Sequence, residues 1–254
     1  MDSDGFEKQM RSLEYFHSLR LLPGAWVVIR VDGRGFSQFT ESRFNKPFDL
    51  GFHRMMVQTA SALLEGLHGI YAYTESDEIS VLFRPNWDLF DRSLEKIVSI
   101  SASIASSTFT HAYGSIVSFD SRVWLGVDKS QVVDYFRWRQ ADATRCALNG
   151  WCYWTLRQAG ESARMATAML DGQSVAFKNE LLFQHGINFN ELPTWQRRGV
   201  GLYWEEYEKQ GYNPIQEKEV VTLRRRVKLD EELPMKEAYE EFIYRLLDAD
   251  TAAR

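Results

Sequence analysis

Two cysteines in 254 residues, Cys146 and Cys152, leave no material for a disulfide framework or a cysteine-rich zinc module. Their spacing fits neither a redox pair nor a metal clip, and they read as buried packing residues in a reducing compartment. The five histidines, His17, His53, His68, His111 and His185, never fall at metal-ligand spacing, which argues against a histidine zinc centre. No apolar run approaches the roughly 20 residues of a membrane span. An N-terminus carrying Asp2, Asp4 and Glu7 does not read as a secretory leader, so a cytoplasmic location is expected. A basic surplus is missing too: 30 Lys and Arg against 35 Asp and Glu give a net charge of -5. Any nucleic-acid contact must therefore be local rather than a bulk positive field. GxSxG, Walker A and GxGxxG patterns are absent, which removes the common hydrolase, P-loop and dinucleotide readings. With only 6 prolines and 44% hydrophobic residues, the chain can build a sizeable core and reads as globular.

What is present is an ordered series of elements. Ala25 to Val31 is a nearly continuous apolar run stopped by Asp32-Gly33, the pattern of a central strand. Apolar residues from Leu50 to Leu67 recur at helical spacing, and Gly69 closes that helix. Ile70 to Tyr73 and Ile79 to Phe83 flank a short acidic turn, which predicts a hairpin with acids at its tip. A second long helix is predicted from Phe90 to Phe109 and a strand from Ser115 to Leu125. The resulting β-α-β-β-α-β order is that of a ferredoxin-like α+β fold, in which the first strand and the hairpin are sheet neighbours. Residues 1–127 form this core. Residues 128–254 read as a helix-rich half packed on it, the two making one integrated unit. Helices are expected over 130–148, 152–158, 161–170 and 172–182, with short strands around 199–204 and 219–227.

Asp32 ends the first strand and Asp77 sits at the hairpin tip, so the topology brings the two carboxylates to one sheet edge. Gly33 lets the backbone approach a metal or phosphate closely. Glu78 adjoins Asp77, faces the other way on an extended strand, and is either a second ligand or an outer group. Crowded carboxylates repel unless a cation neutralises them, and an all-oxygen donor set shared with nucleotide phosphates favours Mg²⁺. Arg92 and Lys96, one helical turn apart near the start of the second helix, are either a triphosphate clamp or a solvated face answered by Asp88, Asp91 and Glu95. Tyr135 to Asp142 mixes aromatics with Arg137, Arg139 and Gln140 and could stack on a base or simply be core. Arg224-Arg225-Arg226-Val227-Lys228 is the best local cationic cluster, with Arg197-Arg198 a lesser one; either touches nucleic acid or is a solvated face.

Taken together, Arg30-Val31-Asp32-Gly33-Arg34, Lys46-Pro47, Ser76-Asp77-Glu78, Phe119-Asp120-Ser121-Arg122-Val123, Trp138-Arg139-Gln140-Ala141-Asp142 and Lys178-Asn179-Glu180 occur in one order. That order and rough spacing resemble the tRNA-His guanylyltransferase family over about residues 5–228. The resemblance implies a polymerase-type palm that builds RNA in the 3′-to-5′ direction. It implies two Mg²⁺ held by Asp32, the Gly33 carbonyl and Asp77, with Glu78 also required. Lys46, Ser76, Arg92 and Lys96 would cradle a triphosphate, beside the turn Gly33, Arg34, Gly35 and Phe36. Arg139, Gln140, Asp142, Lys178, Asn179 and Arg224 to Arg226 would be base or RNA contacts. ATP, GTP or other nucleoside triphosphates and tRNA are the implied partners, gripped by a homotetramer. Family members acting on tRNA-His carry His-Ile-Asn-Asn where this chain has Thr144-Arg145-Cys146-Ala147. That departure resembles the guanylyltransferase-like proteins associated with repair of 5′-truncated tRNAs. Two other readings stay open: a non-catalytic tRNA-binding protein on the same palm, and a nucleotide cyclase.

Overall fold

The computed structural model describes residues 3–213 and 218–249. Its centre is a six-stranded antiparallel sheet in the order β4-β1-β3-β2-β5-β6. The strands are β1 Trp26–Gly33, β2 Tyr71–Glu75, β3 Glu78–Phe83, β4 Phe119–Gly126, β5 Val200–Asn213 and β6 Lys218–Asp230. Helices α1 (Ser3–Leu13), α2 (Phe36–Glu41), α3 (Leu50–Gly66) and α4 (Leu94–Tyr113) belong to the first half of the chain. The second half contributes α5 (Lys129–Gln158), α6 (Ala163–Leu170), α7 (Val175–Gln184), α8 (Thr194–Arg198) and α9 (Glu237–Asp248). The first four strands, with α3 and α4 as crossovers, carry the ferredoxin-like order, and β5 and β6 extend the same sheet.

β1 is apolar from Trp26 to Ile29 because both of its faces are covered there. Val27, Ile29 and Val31 pack in the core with α3 and α4, whereas Trp26 and Val28 pack with α5 and α9. Only the strand's end escapes burial, and there the alternation delivers Arg30 and Asp32 onto the α5 side. Asp49 caps α3 by accepting from the Phe52 amide at 2.9 Å. Gly114, at φ 82°, closes α4.

Four elements differ most from expectation. The second crossover helix begins at Leu94 rather than Phe90, because Phe90, Asp91 and Arg92 all take positive φ. The helices expected over 130–148 and 152–158 are one, α5, of 30 residues. Its Gly150 costs only about 1 kcal/mol, while Ala147, Leu148, Cys152 and Leu156 continue one buried stripe past it. β5, of 14 residues, is much longer than the strand predicted over 199–204, and β6 extends the strand predicted over 219–227 by a few residues. β5 pairs with β2 only over 200–203, so the remaining ribbon leaves the sheet for about 30 Å at the rise of a strand. Its outer part sets the exposed Tyr212, Val221 and Leu223 among charged and polar residues on one face and gives no sustained alternating signal. Cys152 is buried as expected, but Cys146 is exposed.

Candidate active site

Three acids stand abreast at one rim of the sheet. Asp32 on β1 is in register with Glu78 on β3 and with Asp120 on β4, so all three side chains share the face that α5 covers. The next row inward is Arg122, Arg30 and Ser80. Arg122 pairs with Asp120 at 2.9 Å and reaches Asp32 at 4.0 Å. Asp120, Arg30 and Arg122 belong to the motifs that carry the family resemblance but receive no site role from the sequence, although alternation along β1 points to Arg30 and the β1–β4 register to the other two.

Glu78 is not left open toward a metal. Arg139 of α5 clamps it bidentately, with Nε at 2.7 Å and Nη2 at 2.9 Å, and Arg30 lies at 3.7 Å. Trp138 lies beneath both cations, its ring centre 4.6 Å from the Arg139 guanidinium and 5.6 Å from that of Arg30. Burial pushes the Glu78 carboxyl up and the two arginines oppose it. Burial works to lower the Arg139 pKa, but the charge and hydrogen bonds of Glu78 together with Asp142 and Tyr135 hold it above its ordinary value.

Asp77 occupies the two-residue turn between β2 and β3, where Ser76 takes φ 50°. The Gly33 amide donates to the Asp77 carbonyl at 3.1 Å, which ties the hairpin tip to the end of β1. Burial raises the Asp77 carboxyl above its ordinary range, and the Asp32 carboxylate raises it further. The Ser76 hydroxyl, which donates at 3.0 Å, and Lys46 pull it back. Glu75 is pushed up to about 8 by burial and by neighbouring carboxylates, led by Glu78. Its carboxylate lies within 4.8 Å of ligand atoms of Asp142 and Cys146, but Arg139 and Arg145 already pair with Asp142. Gly33 admits no side chain: a Cβ there would sit 2.4 Å from the Phe36 ring.

A cavity of about 350 Å³ opens beside Asp77, within the usual size of small-molecule sites. Phe36, Phe52 and Met56 contribute to it from α2 and α3, and Trp154 and Trp195 from α5 and α8. Lys46, Ser76 and Asp77 line it as well. The Lys46 ammonium donates to the Thr40 hydroxyl at 2.6 Å and lies 5.9 Å from the Trp154 ring centre. Burial lowers its pKa, opposed by Glu41, Asp77 and Asp49. A cation kept partly dry among three carboxylates suits an anionic ligand that brings its own divalent ion.

Other residues singled out from the sequence are placed elsewhere or otherwise occupied. Arg92 is buried, and its guanidinium donates to the carbonyls of Leu22, Ala25, Pro85 and Trp87. These cluster at the opposite end of β1, about 23 Å from Asp32 at the rise of a strand. Lys96, exposed in the first turn of α4, shares that end. Neither can clamp a phosphate at the acid rim. Phe36 is core, packed edge-on to Phe52 and Phe109, and Arg34 and Gly35 are exposed in the turn before it. Gln140 is buried and donates to the Pro234 carbonyl, so with Arg139 and Asp142 it fastens α5 rather than offering a free edge to a base. Asn179 donates to the Val175 carbonyl of its own helix, and Lys178 is half-buried on α7, away from the rim. Arg197 and Arg198 donate to the carbonyls of Leu192 and Leu233. Arg224, Arg225 and Arg226 line the outer ribbon, Arg225 over Trp204 and Arg226 over Tyr207.

A ferredoxin-like sheet presenting paired aspartates at its rim, next to a cavity that holds Lys46, defines a nucleotidyl-transfer palm. A family model described as tRNAHis guanylyltransferase matches residues 7–134, and one described as the Thg1 C-terminal domain matches residues 130–242. The chain belongs to the tRNAHis guanylyltransferase family and is a nucleotidyltransferase. A probable tRNA(His) guanylyltransferase of Drosophila melanogaster is 36% identical over 194 residues, covering 72% of this chain and 68% of the relative. A solved bacterial tRNA(His) guanylyltransferase (Thg1)-like protein in complex with GTP is 28% identical with a TM-score of 0.70, covering 94% of this chain and 99% of that one. A bacterial Thg1-like protein in complex with ATP is 27% identical with a TM-score of 0.72 and the same coverages. Among the described residues no helix is long and apolar enough to cross a membrane.

Proposed function

We propose that this chain adds nucleotides to the 5′ end of tRNA in the 3′-to-5′ direction, under template direction, once that end is activated as a triphosphate or by adenylylation with ATP. The observation that carries this reading is the meeting of Asp32 and Asp77 at the sheet rim, beside a cavity that holds Lys46 and Ser76. The donor set fits Mg²⁺: two carboxylates, one of them driven toward protonation by burial and by the other, and the carbonyl of a glycine that can carry no side chain. Asp32, Gly33 and Asp77 would hold two such ions. Bound there, Mg²⁺ supplies charge neutralisation on phosphate oxygens and acidifies an attacking hydroxyl.

The chain's own side chains do the rest. Lys46 and Ser76 bind the triphosphate, and Lys46 strengthens as a phosphate partner because burial has stripped part of its hydration. Glu78 acts through Arg139 and Arg30, which fix the strand end and keep the rim's negative potential in place. The aromatic cavity takes the nucleotide's base. Arg224 to Arg226 on the ribbon, with Lys178 and Asn179 on α7, contact tRNA phosphates, and a homotetramer in the cytoplasm supplies the positive groove that a net charge of -5 denies a single subunit. Residues 1–127 and 128–254 work as one catalytic unit.

Repair of 5′-truncated tRNAs is the favoured substrate class. Where tRNA-His enzymes have His-Ile-Asn-Asn, Thr144 here donates to the Arg197 carbonyl at 2.9 Å and Arg145 pairs with Asp142. Thr144 thus fastens α5 to α8, and Arg145 is paired within α5. The test compares labelled nucleotide addition to full-length tRNA-His with addition to several tRNAs lacking their first residue. Faster addition to the truncated set is expected, and it should vanish in Asp32→Ala. Exclusive use of full-length tRNA-His would overturn repair, and turnover retained in Asp32→Ala would overturn the site.

A further inference from the structure

The cavity accounts for one of the two substrates that a transfer at the acid rim must bring together. It draws Phe36 and Met56 from the core on the α3 side of the sheet. On the opposite face, beside the same acids, part of the sheet is open. α5 lies over β3, where Arg139 clamps Glu78 and the Tyr135 and Ser80 hydroxyls meet at 2.9 Å. It leaves uncovered the start of β4, the edge strand, where Asp120 and Arg122 are exposed. The result is a shelf floored by Arg30 and Arg122, cross-strand partners one row behind Asp32 and about 7 Å from it at the rise of a strand. Two guanidinium groups directly opposite one another repel. Asp120 answers Arg122 at 2.9 Å, but Glu78 answers Arg30 only at 3.7 Å, so an anion on the shelf would be stabilised.

The shelf's inner wall is Trp138. Its neighbours Tyr135 and Phe136 are buried, whereas Trp138 is 53% exposed. The ring is nevertheless held: the Arg139 and Arg30 guanidinium groups lie 4.6 Å and 5.6 Å from its centre, and Tyr135 meets it edge-on at 5.8 Å. An indole pinned in place yet left in water forgoes the burial its apolar surface favours, and a flat partner laid on it recovers that loss. We infer that this shelf seats the 5′-terminal nucleotide of the tRNA, with its base stacked on Trp138 and the phosphate that follows it paired with Arg122. The inference rests on the nucleotidyl-transfer reading given above. The step from the Asp32 row to the Arg122 row matches the step between successive phosphates of one strand, so a reacting 5′ phosphate at the rim brings the next phosphate to Arg122. Stacking ignores base identity, because every base has a π-face. That suits a substrate class drawn from several tRNAs with different first residues.

The test places 2-aminopurine, a fluorescent base quenched by stacking, at the 5′ end of a tRNA lacking its first residue and titrates it with the full-length protein. Wild type should quench the terminal probe and leave one placed several residues inward unchanged. This comparison needs no substitution, so the inference stays testable if a variant folds poorly. In labelled 5′ addition, Trp138→Ala should raise the KM for tRNA about ten- to a hundredfold with no change in that for the triphosphate. Trp138→Phe, which keeps a stacking ring, should restore most of the loss. Arg122→Gln should lower the slope of log tRNA affinity against log salt by about one. A terminal probe left bright by wild type, or a tRNA KM unchanged in Trp138→Ala, would overturn the inference. So would a Trp138→Ala protein that changes oligomeric state in ultracentrifugation yet still quenches the probe, since Trp138 would then be a subunit contact. Asp32→Asn separates the two levels: it should abolish addition and still quench the terminal base. Turnover retained in Asp32→Asn sinks the underlying reading, whereas a dead Asp32→Asn beside normal tRNA binding in Trp138→Ala sinks this inference alone.

Discussion

Asp77 concentrates the electrostatic problem of this molecule in one side chain. It is buried, it faces Asp32, and its counter-charge within the chain is the half-dried Lys46. Asp77→Asn removes the charge at constant size. Nucleotide addition should fall by at least about a hundredfold, while the metal-free protein should melt no lower than wild type, because a like-charge contact has been deleted. Labelled 5′ extension and thermal melting read the two effects. Glu75 makes a separate prediction from pH. Its carboxyl titrates near pH 8 in the folded chain against an ordinary 4.5, so between those values the folded state holds more protons than the unfolded one. Stability from this group is complete below about pH 4.5 and is lost as pH rises through 8. The metal-free melting temperature should therefore decline from pH 6 to pH 9, and Glu75→Gln should flatten that decline. Gly33 is held by sterics: Gly33→Ala drives a Cβ into the buried Phe36 ring and should cost about 1–3 kcal/mol in a denaturant titration.

Between elements, the contact that matters most is the one from α5 to β3. Arg139 and Glu78 are 6% and 14% exposed, and removing the cation leaves a carboxylate buried beside Asp32. Arg139→Met should lose about 3–5 kcal/mol, and adding Glu78→Gln should recover much of it. The elements themselves were largely legible. β1 announces itself by a run apolar on both faces, and the hairpin by its acidic turn. Arg139 and Gln140 stay open in the sequence between base contact and core, with the family resemblance favouring contact, because helical period alone does not say what covers a helix face. Arg92 read as a phosphate clamp because nothing in its neighbourhood betrays three successive residues at positive φ. Four main-chain carbonyls, two of them from before β1, claim its guanidinium. The outer part of β5 escaped notice, although its partner strand is legible over 219–227, because the ribbon's stability comes from pairing and from cations laid over Trp204 and Tyr207, not from a buried stripe.

At the scale of the whole molecule, the meeting of Asp32 and Asp77 followed from topology, since β1 and β3 must be neighbours in a ferredoxin-like sheet. The cavity did not follow. Its walls come from α2, the segment before α3, the hairpin tip, the end of α5 and α8, and only tertiary packing assembles them. The ribbon projects from this body carrying exposed Arg224 and half-buried Arg225. Replacing both by alanine should weaken tRNA binding and lower the slope of log affinity against log salt by about two, with triphosphate binding unchanged. The central claim is that the aspartates at the sheet rim grip two magnesium ions. It is tested most directly by counting Mn²⁺ bound per protomer in electron paramagnetic resonance titrations, with a non-hydrolysable triphosphate present. Two ions in wild type, and loss of at least one in both Asp32→Asn and Asp77→Asn, is the predicted result. Full Mn²⁺ occupancy in either variant would contradict it.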